Sequence, residues 1–123
     1  GKLTEAEPLL REALALRRRK LGDEHPDTLG SVHNVGRLLQ IQGRLTEAEP
    51  LLREAAAGRR RKLGDEHPRT LKSVKDVVQC LVALDRQDEA RAVLTDFLAT
   101  TTLGADHAHV RDVKSQLEEF DKD

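Results

Sequence analysis

Apolar residues recur along this chain at three- and four-residue intervals, the rhythm of helices that bury one face. Ala6, Leu9, Leu10, Ala13 and Leu14 step in that way, and Val32, Val35, Leu38 and Leu39 repeat it. No strand-like alternation competes with it. The pattern predicts six helices, over about 4–21, 26–42, 46–63, 68–84, 88–102 and 107–121. His25-Pro26 and His67-Pro68 mark two of the starts, because proline pushes the residue before it out of the α region and itself suits the first helical position. Gly43 ends the second helix as a left-handed cap, and Asp85 is expected to do the same for the fourth. Thr4 with Glu7, and Thr46 with Glu49, have capping-box spacing, so the first and third helices are expected to start there. Pro8 and Pro50 would then fall at the end of a first turn, where little hydrogen bonding is lost.

The chain also repeats itself. Residues 3–13 recur unchanged as 45–55, residues 17–26 recur as 59–68, and Thr28-Leu29 returns as Thr70-Leu71, all at an offset of 42. A third, decayed copy follows, in which Arg86 and Glu89-Ala90 stand where Arg44 and Glu47-Ala48 would fall. Such self-similarity is the mark of a solenoid, in which each helix pair buries its face only by stacking on the next. The fold expected is therefore all-α: an α-solenoid of stacked antiparallel helix pairs, one domain over 1–123, with units of approximately 1–25, 26–67 and 68–106. The last helix, 107–121, carries its stripe of Val110, Val113, Leu117 and Phe120 out of register with the others and is expected to cap the stack. Because the chain opens on Gly inside a patterned segment, it is expected to be a fragment of a longer repeat array.

Composition narrows the chemistry. The 123 residues hold 21 basic and 22 acidic side chains, for a net charge of −1, which argues against a general polyanion binder. There is no Trp, Tyr or Met and only two Phe, so the core must be Leu, Val and Ala. A single cysteine, Cys80, makes neither an intrachain disulfide nor a cysteine metal pair. The longest apolar run, from Cys80 to Leu84, falls far short of the ~20 residues that cross a bilayer, so no membrane insertion is expected. An intracellular, cytoplasmic location is the expectation.

These residues resemble the tetratricopeptide repeat, in the 42-residue form of kinesin light chains and their relatives. The small and large apolar positions match at Val32, Val35, Gly36 and Leu39 in one helix and at Ala48, Leu52 and Ala55 in its partner, and Leu-Gly-Asp-Glu-His-Pro and Ala-Glu-Pro-Leu are phrases of that subtype. The resemblance covers essentially the whole chain. It implies a non-enzymatic protein-interaction scaffold that binds a partner peptide segment in a concave groove lined by the first helix of each pair. Carried onto this sequence, the groove positions are His33, Asn34, Arg37, Gln40, Lys72, Lys75 and Gln79, a polar lining with a basic bias that would suit an acidic protein or peptide. Asp76, among them, stands where a cation is usual, so a carboxylate clamp is not implied. The same register makes the first helix the second member of a pair, leaving a face near Leu9 and Leu10 for an upstream segment, a partner or self-association.

Other candidate chemistry is thin. His25, His67 and His107 occupy one repeat position before a helix start, which is a structural place, and Asp106, His107 and His109 lack a complementary ligand cluster, so no metal is expected. Cys80 sits among apolar neighbours and reads as a small buried side chain. No catalytic residue and no cofactor is predicted. The two Arg-Arg-Arg-Lys runs, beginning at Arg17 and Arg59, would lie side by side on an outer face. Arg17, Arg18, Arg59 and Arg60 are therefore candidates for a basic docking stripe, the alternative to the groove. The adjacent Asp-Glu pairs and the absence of aromatic platforms make nucleic acid an unlikely partner.

Overall fold

The computed structural model describes residues 2–122. Six helices follow one another: α1 (Lys2–Leu21), α2 (Pro26–Ile41), α3 (Leu45–Leu63), α4 (Pro68–Ala83), α5 (Gln87–Thr100) and α6 (Ala108–Phe120). Each packs chiefly on its neighbours in sequence, so the chain is a stack of helices rather than a closed bundle. Even-numbered helices form one layer and odd-numbered helices the other. Ion pairs of α1 with α3, and a contact between α2 and α4, tie like to like within each layer. Described residues include no strand.

Local chemistry sets the boundaries. His25, His67 and His107 take extended backbone angles and accept the backbone N–H two residues on through Nδ1, at 3.1, 3.1 and 3.0 Å. The histidine of each repeat is thus an N-cap, with Pro26 and Pro68 at the first helical position behind it. Gly43 and Asp85, at φ of 78° and 61°, make the left-handed turns into α3 and α5. The capping boxes, by contrast, do not form. Thr4 and Thr46 lie inside helices, and the cap of α3 is Arg44, which makes no side-chain capping bond. The left-handed residue Gly43 immediately precedes it, so the helix begins earlier than the hydroxyl. Glu7 and Glu49 are freed to pair with arginines instead. Pro8 and Pro50 consequently lie inside their helices, beyond the first turn.

One core runs the length of the stack. Val32, Val35, Leu39, Leu52, Val77, Leu81, Leu94, Phe97 and Val113 are all buried within it. Close approach of α2 and α3 depends on two glycines. A Cβ on Gly58 would lie 2.4 Å from Cδ2 and 2.9 Å from Cδ1 of fully buried Leu29, and one on Gly36 would meet Cδ2 of Leu52 at 2.9 Å. Cys80 is buried, its thiol 3.6 Å from the Leu45 carbonyl, and burial pushes its pKa up. The stripe of α6 packs against α5. Aligned on the histidine caps, Arg111, Lys114 and Glu118 occupy the places of Leu29, Val32 and Gly36, and all three are exposed.

Gly58→Ala is expected to lower unfolding free energy by about 1–2 kcal/mol, the overpacking strain exceeding the gain in helix propensity. Gly30→Ala, whose Cβ would meet nothing closer than an Arg59 nitrogen at 4.0 Å, is expected to raise it by about 0.5–1 kcal/mol. Urea unfolding of the two variants checks both signs.

Candidate functional site

The even-helix layer presents the polar face that the sequence singles out. Asn34, Lys72 and Gln79 are exposed, and Arg37, Gln40 and Lys75 are partly so. A depression of about 320 Å³ opens on α4 between Pro68, Leu71, Lys72, Lys75, Asp76 and Gln79. The structure also adds residues that the sequence reading missed. Lys75 Nζ reaches Asp112 Oδ2 of α6 at 3.3 Å, and Gln116 donates to the other oxygen at 3.0 Å, so α6 extends this face. The available signal was the helical spacing of Asp112 and Gln116 behind the third histidine cap.

His33 is not a surface residue of this face. It is 6% exposed, with Nε2 3.5 Å from Oδ2 of Asp76, itself 4% exposed. Around that carboxylate stand Lys72 Nζ at 3.7 Å and Arg37 Nη1 at 4.0 Å, while Arg37 also donates to Gln40 Oε1 at 3.0 Å. Neither Asp76 Oδ2 nor His33 Nδ1 has a hydrogen-bond partner among the described residues. Burial, and then the cations Arg59, Lys72 and Arg37, push the His33 pKa down to about 4. The imidazole is therefore neutral at pH 7.

Asp76 lies within the field of a buried arginine. Arg59, expected on the outer face, is 6% exposed, and its Nη1 donates to Ser73 Oγ at 2.8 Å while its carbonyl accepts from Thr70 Oγ1 at 3.3 Å. Burial lowers its pKa, as does Arg69, and Asp76 opposes them. The equivalent Arg17 makes the same contacts, to Ser31 at 2.8 Å and from Thr28 at 3.3 Å, but remains exposed. Its counterpart of Asp76 is neutral Asn34. A buried guanidinium is thus accompanied by a carboxylate, and an exposed one is not.

The basic stripe is likewise dispersed into ion pairs. Arg18 donates to Glu54 at 2.8 and 3.0 Å and to Asp23 at 2.8 Å. Arg60 holds Asp65 at 2.7 and 2.9 Å, and Arg61 holds Glu24 at the same distances. These guanidiniums keep the Asp65 and Glu24 carboxyls below the usual range. Only Arg19, Lys20 and Lys62 of the two runs are exposed with neither an ion pair nor a side-chain hydrogen bond among the described residues. At the open end, Leu9 is 68% exposed as expected, whereas Leu10 is half-buried against the core. Leu3 and Leu16 add to the exposed apolar surface of α1. No three His, Cys, Asp or Glu side chains converge on a metal position among the described residues. His109 instead hydrogen-bonds the Asp65 carbonyl at 2.9 Å. Among the described residues no helix is long and apolar enough to cross a membrane.

The depressed pKa of His33 has a signed consequence. The unfolded chain takes up this proton near pH 6.5 and the folded chain only near 4, so the contribution is present above pH 6.5 and is lost as pH falls between those values. Stability measured by urea from pH 7.5 to 4.5 is expected to decline less steeply in His33→Gln than in the unsubstituted protein. Parallel curves would show that His33 does not titrate in this way.

A tetratricopeptide repeat model matches residues 1–27 and 28–69, more than half of the chain. Among solved structures, the fold superposes with a TM-score of 0.83 on a kinesin-light-chain-type protein of Podosopora anserina with nearly identical TPR-like repeats, at 30% identity over 98% of this chain and 58% of that one. A point variant of the same protein gives a TM-score of 0.82 at 29% identity, over 98% and 57%. This chain therefore spans less than two thirds of the length of those proteins. No curated protein matches it. Tetratricopeptide repeats are protein–protein interaction modules, built as non-enzymatic scaffolds. With two near-identical 42-residue units, helices alternating between two layers and this structural kinship, the chain belongs to the tetratricopeptide repeat family, in its kinesin-light-chain-like form.

Proposed function

We propose that the even-helix face, the concave side in tetratricopeptide solenoids, receives an extended segment of a partner protein with acidic or amide side chains. The observation that carries this reading is the cluster on α2 and α4, where Arg37 and Lys72 stand around buried Asp76 at 4.0 and 3.7 Å beside an open depression. Asp76 is held at the floor and the cations at the rim, which restrains their heads while leaving their outer donors free. A ligand carboxylate or carboxamide oxygen would accept hydrogen bonds from Lys72 and Lys75. Asn34 and Gln79, both exposed, supply donors and acceptors for the partner's backbone.

A second reading, docking through the open end, is favoured by the exposure of Leu9 and Leu16 on α1. Leu16 stands 42 residues before Gly58, where α2 and α3 touch most closely. A helix seated on α1 as α2 sits on α3 would need a small residue opposite Leu16. The outer arginines contribute little to either reading, because most of their charge is already paired.

An array of acidic, amide-rich and basic peptides, probed with the folded protein and with its Arg37→Glu, Lys72→Glu, Lys75→Glu variant, tests the groove. Acidic and amide-rich peptides are expected to bind, to lose affinity about tenfold or more in the variant, and to weaken with salt. Binding that the variant retains in full would move recognition away from this face. Leu9→Lys is expected to leave peptide capture unchanged, and a loss there instead would favour the open end.

A further inference from the structure

The opposite, odd-helix layer carries a cleft that the two near-identical copies do not share. It lies between α3 and α5 over α4, with a volume of about 340 Å³. Val74, Val77 and Phe97 form its floor, Ala56 its α3 wall, and Arg60 and Asp96 stand at its rim. In the 42-residue register the preceding gap, between α1 and α3, has Leu14 in the place of Ala56, Arg18 in that of Arg60 and Glu54 in that of Asp96.

The two substitutions, and the different pairing of the shared arginine, act together. Leu14 is buried in the core, where Ala56 leaves room for an aliphatic side chain. Arg18 bridges its own loop and the next odd helix, bonding both Asp23 and Glu54. Arg60 gives both bonds to Asp65 in its own loop and lies with its guanidinium carbon 4.8 Å over the Phe97 ring. Asp96, one methylene shorter than Glu54, has no ion pair among the described residues. Phe97, which replaces Ala55, is 1% exposed and becomes the floor of the cleft rather than its plug. The second gap therefore lacks two things that the first contains, an aliphatic side chain in the cleft and a cation on the carboxylate.

We propose that this cleft docks a helical segment of a partner that presents an aliphatic side chain and, one turn further on, a lysine or arginine. Leu14 and Arg18 are four residues apart on one helix face, and a partner helix with that spacing supplies from outside what they supply within. Charge complementarity selects a basic partner. Arg60 gives its bonds to Asp65, the other rim cation, Arg53, is paired with Glu49, and Asp96, though within the field of Arg60, is the rim charge without an ion pair among the described residues. The cleft thus asks for the opposite charge from the acidic or amide-rich segment proposed for the even-helix face, and the two surfaces can be occupied at once.

The probe is a labelled peptide of residues 8–21 of this chain, which carries Leu14 and Arg18, held helical by a staple on the face away from them. Saturable binding to the full chain is expected, with nuclear magnetic resonance shifts at the Phe97 ring and the Val74 and Val77 methyls. Filling the cleft by Ala56→Leu is expected to weaken binding about tenfold or more. Asp96→Asn, on an exposed rim that the fold does not depend on, is expected to weaken it about threefold at low salt and not at high salt. A peptide with Glu in place of Arg18 is expected to bind more weakly still. No binding at about 1 mM peptide, affinity unchanged by both substitutions, or shifts confined to α1 or to the even-helix face would each overturn the proposal.

Discussion

The contact on which the stack depends is the tie between the end of α1 and the start of α2, repeated between α3 and α4. In it an arginine donates to a serine, Arg17 to Ser31 and Arg59 to Ser73, while the carbonyl of the same arginine accepts a buried threonine hydroxyl. The tie joins one repeat unit to the next, and it recurs at 42 residues, so α4 is fastened to α3 as α2 is to α1. Once the second copy is covered on both sides, its arginine is removed from water. The field of Asp76 acts on that guanidinium, and His33, Arg37 and Lys72 stand around the same carboxylate, so this buried charge shapes the even-helix face.

Much of the fold was legible because its boundaries are written in residues with narrow conformational choices. Pro26 and Pro68 allow few alternatives at a helix start, and Gly43 and Asp85 few at a left-handed turn. The capping boxes at Thr4 and Thr46 failed because the spacing of a threonine and a glutamate says nothing of the turn before them, which fixed the start of α3 at Arg44. The candidate site was half legible. The family resemblance places Asn34, Lys72 and Gln79 on one face, but it does not say that His33 and Asp76 lie beneath that face, because burial depends on how the helices stack. The pairing of the arginine runs was not legible for a related reason. Their partners Glu54 and Glu24 lie 36 and 37 residues away, a separation visible only once adjacent repeats are stacked.

Near-identity of two copies makes each an internal control for the other. Where Leu14 becomes Ala56 between those two copies, and Ala55 becomes Phe97 and Glu54 becomes Asp96 in the decayed third, the same helix pairing yields a filled gap in one place and an open cleft in the other. Repeat proteins hold their backbone by a few recurring contacts and vary the rest, so surfaces of opposite preference can sit on the two layers of a single small chain.

The measurement that tests this account most directly is urea unfolding of Arg59→Lys beside Arg19→Lys. A lysine cannot reproduce the planar donor geometry that reaches Ser73, and Arg19 is exposed with no ion pair. If the buried tie organises the stack, the first substitution should cost about 1.5–3 kcal/mol and the second less than about 0.5 kcal/mol. Equal, small losses at both positions would show that the arginine runs are surface charge after all, and that the stack does not depend on this tie.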